Sequence, residues 1–140
     1  MKKGNTAMNV KRLTPVLLVH EIEPLIPFWV GRLGFAKIIE VPHGDKLGFV
    51  SFQKDSAEVM YQTFSSVESD APPAMIANVR RGPTYLYMEV DNVDSVLHAM
   101  HGLPLVMPVR VAFYGMKEFA VQDPAANFIT FAQQVPASTK

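Results

Sequence analysis

The feature that most limits what this chain can fold into is a pattern written twice. Arg12 to Val19 is an apolar run of strand length, and it leads directly into Glu23-Pro24-Leu25-Ile26-Pro27-Phe28-Trp29. That second piece reads as a helix. Pro24 fits the first helical position, and Pro27 still lies in the first turn, where backbone amides have no intrahelical partner to lose. Leu25, Phe28, Trp29 and Leu33 form its apolar stripe, and Gly34 sits where a helix commonly stops. Three strand-like runs follow, Ala36 to Val41, Lys46 to Gln53 and Ala57 to Phe64, separated by the turn signals Pro42-His43-Gly44-Asp45 and Lys54-Asp55-Ser56.

The same order then starts again. Thr84 to Val90 reads as a strand, Asp91 or Asn92 as the cap of a helix with Val93, Val96, Leu97 and Met100 on its apolar face, and Gly102 as its end. Leu105 to Ala112, Met116 to Gln122 and Asn127 to Gln133 read as strands. The offset between copies is about 70 residues, so two βαβββ units are the economical interpretation. Even the junctions agree: Val19-His20-Glu21-Ile22-Glu23 aligns with Val90-Asp91-Asn92-Val93-Asp94. The pattern predicts a single α/β (α+β) domain over residues 11–135, with module 1 at about 12–64 and module 2 at about 84–133. Residues 1–10 and 136–140 are expected to be flexible tails.

Composition removes several function classes. The 140 residues carry 13 Lys+Arg against 13 Asp+Glu. A neutral chain is a poor electrostatic partner for nucleic acid or a membrane surface, so neither is expected. There is no cysteine, which removes disulfides, thiolate metal sites and cysteine nucleophiles. Met1 to Asn9 has no apolar run of signal-peptide length, and no later run approaches a membrane span, so a cytoplasmic protein is expected.

The two-module order resembles the vicinal oxygen chelate superfamily, which includes glyoxalase I, extradiol dioxygenases, fosfomycin-resistance enzymes and bleomycin-resistance proteins. The residues that carry the resemblance are Thr14-Pro15-Val16-Leu17-Leu18-Val19, Phe28-Trp29 with Leu33-Gly34-Phe35, and Gly115-Met116-Lys117-Glu118-Phe119 with Asp123-Pro124-Ala125-Ala126-Asn127. It covers about Leu13 to Ala132. Ala126 departs from it, standing where the family usually has glycine, and predicts a turn of a different type.

The resemblance implies that each module curls into half of a cup with its helix outside. Alternation along the strands then directs Pro15, Leu17, Val19, Leu86, Met88, Val90, Ile129 and Phe131 toward the helices. Thr14, Val16, Leu18, Tyr85, Tyr87, Glu89, Phe128, Thr130 and Ala132 face the cup. A one-residue slip would drive Tyr87 and Glu89 into the core. The superfamily's four metal-ligand positions, carried over by register, fall on Thr14, Met60, Tyr85 and Thr130. Two hydroxyls, a thioether and a neutral phenol cannot replace the imidazole and carboxylate ligands that such metals require, so no metal and no cofactor is expected.

Other chemistry has little foothold. His98 and His101 stand three apart near the end of the second helix, where a cation complements the helix dipole. His20 and His43 fall at a junction and in a turn. Along the strands, Glu58 and Gln62 flank Met60, and Glu118 precedes the Asp123-Pro124 turn. Glu58 and Glu89 are expected to point to solvent at the rim, and Glu118 to offer the cup an acceptor. The stretch Ser65 to Pro83, with Pro72-Pro73 and Arg80-Arg81, has the length of a flap, and Ala74 to Val79 suits a short helical turn over the cup mouth.

Within the superfamily the pairing of Phe28-Trp29 with Gly115 to Phe119 is most similar to the metal-free, bleomycin-resistance-like branch. The resemblance implies a homodimer that binds or sequesters a small organic ligand, with Thr14, Val16, Met60, Tyr85, Tyr87, Glu118, Phe128 and Thr130 as the ligand-contacting set and no catalytic residue assigned. The alternatives are a lyase, isomerase or dioxygenase of the superfamily with an atypical site, and a ligand-free structural partner. Bleomycin itself is cationic and its resistance proteins are acidic, so a neutral chain fits the fold better than that ligand.

Overall fold

The computed structural model describes residues 9–77 and 82–136. Most of both expected tails, the end of the turn expected to reach Val79, and the Arg80-Arg81 pair lie outside the described residues. The elements run β1 (Val16–Val19), α1 (Pro27–Arg32), β2 (Ala36–His43), β3 (Lys46–Lys54), β4 (Ala57–Thr63), α2 (Phe64–Asp70), α3 (Pro73–Ala77), β5 (Tyr85–Glu89), α4 (Val93–Ala99), β6 (Met107–Val111), β7 (Met116–Gln122) and β8 (Phe128–Gln134). They form two four-stranded mixed sheets with the same connectivity, β1-β4-β3-β2 and β5-β8-β7-β6. In each, the first strand of the module lies parallel to its last and the other pairs are antiparallel.

One core lies behind both sheets. Leu17, Val19, Val50, Phe52, Val59 and Tyr61 from the first meet Phe119, Val121, Ile129 and Phe131 from the second, with Leu25, Phe28 and Trp29 from the first helical segment and Val93 and Met100 from the second. The aligned junction residues Ile22 and Val93 are both buried, as equivalent positions should be. Fully burying each large apolar side chain contributes about 1.5–3 kcal/mol, so this shared core is a main source of the fold's stability.

Two local departures have clear causes. α1 winds as a π-helix, with Leu33 N–H donating to Phe28 C=O at 3.2 Å. The wider turn reduces the angle between successive side chains, so that neighbouring Phe28 and Trp29 both reach the core. β1 begins only at Val16 rather than Arg12. Pro15 has no N–H for the ladder and contributes only its carbonyl, to Met60 N–H, and its ring is exposed instead of facing a helix.

At the Asp123–Asn127 turn, where the sequence predicts an altered turn type, Ala126 adopts φ 69°, the left-handed conformation that glycine accepts without strain, so the alanine occupies a glycine-type position and strains it. Ala126→Gly is therefore expected to stabilise the protein by about 1 kcal/mol, as read from the urea unfolding midpoint at unchanged m-value. A neutral or destabilising result would show that the loss of unfolded-state restriction outweighs the relieved strain.

Candidate functional site

On the first sheet, the face opposite the core is built by Val16 and Leu18 of β1, Met60 and Gln62 of β4, and Phe49 and Ser51 of β3, in register across the ladder. Thr14 precedes it. At its end lies Glu58, which does not point to solvent as expected. Its side chain is 5% exposed. Ser51 Oγ donates to it at 2.6 Å, Arg12 Nη1 at 2.9 Å and Thr14 Oγ1 at 3.4 Å. The Ser51 hydrogen bond is the main cause holding its pKa below the ordinary value; burial opposes this and Arg12 assists. Glu58 is thus a stable carboxylate and a poor proton carrier at neutral pH.

α2 and α3 flank this face. With Val16, Leu18 and Gln62 they enclose a groove of about 470 Å³, so the stretch after β4 does border the half-cup, as a flap would. α2 itself was not legible as a helix. The sequence predicts a flap-length stretch there with a helical turn only from Ala74, yet Thr63 caps α2 by accepting from Ser66 N–H at 3.1 Å.

The second sheet offers an aromatic counterpart. Tyr85 stacks on Phe128 with ring centroids 4.9 Å apart, while Tyr87 pairs with Thr130. Tyr85 is 76% exposed and Tyr87 57%, large apolar surfaces left open on a rigid strand. Burial, with the charges of Glu118 and Glu89, raises the Tyr87 phenol pKa, so it stays a neutral hydrogen-bonding group. Glu89 is exposed at the end of the same face.

Glu118 is held more tightly than the strand pattern foretells. It is 1% exposed, and Oε2 accepts from Arg110 Nε at 3.0 Å and Nη2 at 2.8 Å. Tyr114 Oη lies 2.8 and 2.7 Å from the two carboxylate oxygens, so one proton is shared between them. Its acceptors are engaged within the chain rather than open to the cup. Arg110 and Tyr114 were missed, although a signal existed: residues 110 and 118 are equidistant from the turn between the predicted strands and become direct partners across the hairpin. The Glu118 hydrogen bond is the main cause raising the pKa of both groups.

The expected ligand-contacting set therefore divides in two. Thr14, Val16 and Met60 lie on the first module, while Tyr85, Tyr87, Glu118, Phe128 and Thr130 lie on the second. The metal positions that the resemblance implies divide the same way, Thr14 with Met60 and Tyr85 with Thr130. Their donors do not fit a divalent metal that prefers imidazole or carboxylate. Among the described residues no group of three or more His, Cys, Asp or Glu is arranged to hold a metal. The histidines lie elsewhere: His20 packs on Phe64 at 4.9 Å, His43 Nε2 is 3.1 Å from Ser65 Oγ, and His98 and His101 are exposed at the end of α4.

No protein-family model matches the sequence, and no curated protein matches it either. Solved structures do. A glyoxalase/bleomycin resistance protein/dioxygenase from Nocardioides superposes with a TM-score of 0.69 at 13% identity, over 95% of this chain and 89% of that one. The chain has the glyoxalase/bleomycin-resistance fold. A lactoylglutathione lyase from Agrobacterium tumefaciens shares this fold at a TM-score of 0.70 and 14% identity, over 89% and 95% of the two chains. So does TnmS3, an antibiotic binding protein from Streptomyces sp. CB03234, at 0.66 and 17%, over 92% and 100%. One glyoxalase/bleomycin-resistance fold thus carries both a lyase and a binder, and fold alone does not choose between them.

Proposed function

We propose that this protein binds or sequesters a small organic molecule on the open faces of its two half-cups, works as a homodimer, and uses no metal at Thr14, Met60, Tyr85 and Thr130. One observation carries the reading. The open faces display large apolar and aromatic side chains, Val16, Tyr85 and Tyr87, over carboxylates that are already neutralised by Arg12 and Arg110. Mostly apolar surface with a few fixed polar groups is the usual composition of a ligand site. The likeness to an antibiotic binding protein supports a binder, although the similarity is one of fold. A second copy would cover apolar faces that a monomer leaves open to water. A cytoplasmic location belongs to the same proposal. No helix among the described residues is long and apolar enough to cross a membrane.

The enzyme alternative requires a metal or a free acid-base group, and the two sheltered carboxylates of the open faces, Glu58 and Glu118, are both tied to arginines. Native mass spectrometry with elemental analysis of the purified protein tests the proposal. The expected result is a dimer without stoichiometric Zn, Fe, Mn or Ni. A monomer at micromolar concentration would overturn the dimer, and one equivalent of metal lost on substituting Thr14 and Tyr85 would favour the enzyme.

A further inference from the structure

The groove between the first sheet and the α2–α3 pair has a chemistry distinct from the aromatic face of the second. Its walls are aliphatic and thioether: Val16 and Leu18 from β1, Val67 from α2 and Met75 from α3. Such side chains adapt to a flexible chain better than to a flat ring. Val16 and Met75 remain largely exposed, so apolar surface is available at the mouth. A volume of about 470 Å³ lies within the range of small-molecule sites.

Two lining groups are polar. Gln62 donates through Nε2 to Ser66 Oγ at 3.1 Å, which orients its amide. Asp70 is the sole charged residue in the lining, is exposed, and has no cationic partner among the described residues. It is also the last residue of α2, and no basic residue occupies that last turn. A carboxylate at a helix C-terminus adds negative charge to the negative end of the helix dipole. A bound cation would relieve that unfavourable placement, and among the described residues no basic group does so.

We infer that this groove takes an amphiphilic amine, an alkyl body lying against Val16, Leu18, Val67 and Met75 with a protonated nitrogen at Asp70. The inference rests on the open faces being ligand surfaces but does not use the tyrosines. An anion of the same shape would meet Asp70 as a like charge, and a neutral alcohol would gain only its chain contacts.

Titration calorimetry of the full chain with octylammonium, octanoate and octanol tests it, since the three share one chain and differ in the head group. Octylammonium is expected to bind at least about tenfold more tightly than octanoate, the scale of one charge-assisted hydrogen bond. Asp70→Asn should bring the two within about twofold, and because Asp70 is exposed this variant should fold normally. Met75→Ser should weaken octylammonium and octanol together. His98→Ala, exposed on α4 away from both open faces, should leave octylammonium unchanged. Equal affinity for the two ions, an unaltered preference in Asp70→Asn, a loss in His98→Ala, or no binding of any octyl probe would each overturn the inference. A metal-bound or monomeric protein that still selected octylammonium through Asp70 would refute the broader proposal and leave this one standing.

Discussion

Replacing Asp123 with alanine is expected to lower the unfolding free energy by about 3–5 kcal/mol, because several buried neutral donors lose their shared acceptor at once. Asp123 is buried at the start of the turn into β8, where its Oδ1 accepts from the N–H groups of Ala125 and Asn127, both at 2.9 Å. Its Oδ2 accepts from Tyr61 Oη at 2.8 Å and from Asn127 Nδ2 at 3.3 Å. Tyr61 belongs to β4 and Asp123 to the second module, so this carboxylate joins the two repeats. Alanine would leave several buried donors without acceptors, each costing about 1–3 kcal/mol before relaxation. Tyr61→Phe should cost less, because Asp123 keeps its backbone donors. Urea unfolding of both variants checks the ranking. A loss below about 1 kcal/mol in Asp123→Ala would mean that the turn and the module junction hold without the carboxylate.

Trp29→Ala is expected to cost about 3–5 kcal/mol, the usual range for truncating a buried tryptophan. The indole is 1% exposed and lies among Phe28, Phe35, Phe52 and Tyr61, with ring centroids 4.8 to 6.3 Å away. Its Nε1–H donates to Tyr61 Oη at 3.0 Å, so the indole also belongs to the Asp123 network. Burial and the Asp123 carboxylate both raise the Tyr61 pKa, so Tyr61 is a neutral relay in that chain of donors. Trp29→Phe should recover most of the packing but not the hydrogen bond. Because the network is shared, Trp29→Ala combined with Asp123→Ala should cost less than the two losses added. Strict additivity in chemical denaturation would show that the two sites are independent.

The repeat was legible because its elements have different periods and each copy has the same strand-to-helix junction. Ile22 and Val93 are buried at equivalent positions, and Asn92 caps α4 by accepting from Ser95 N–H. The division of strand residues between the core and the open face was legible for the same reason, since alternation needs no knowledge of neighbours. What could not be read depends on partners. Glu58 looked like a rim residue until Ser51 and Arg12 were brought beside it, and Glu118 looked like a free acceptor until Arg110 and Tyr114 enclosed it. Alternation states which way a carboxylate points; only strand register and loop path state what waits there. α2 was not legible because seven residues are too few to show a helical period, although Thr63 caps its start.

The central claim, that the open faces bind an organic molecule, is tested most directly by mapping chemical shifts in the isotope-labelled full chain during titration with a set of planar aromatic fragments. The predicted result is a saturable set of shifts centred on Tyr85, Tyr87, Phe128 and Thr130, extending to Val16 and Met60 if a partner copy completes the cup, with His98 and His101 unmoved. Shifts centred on α4 and its two histidines, or no saturable shifts on either open face, would contradict it.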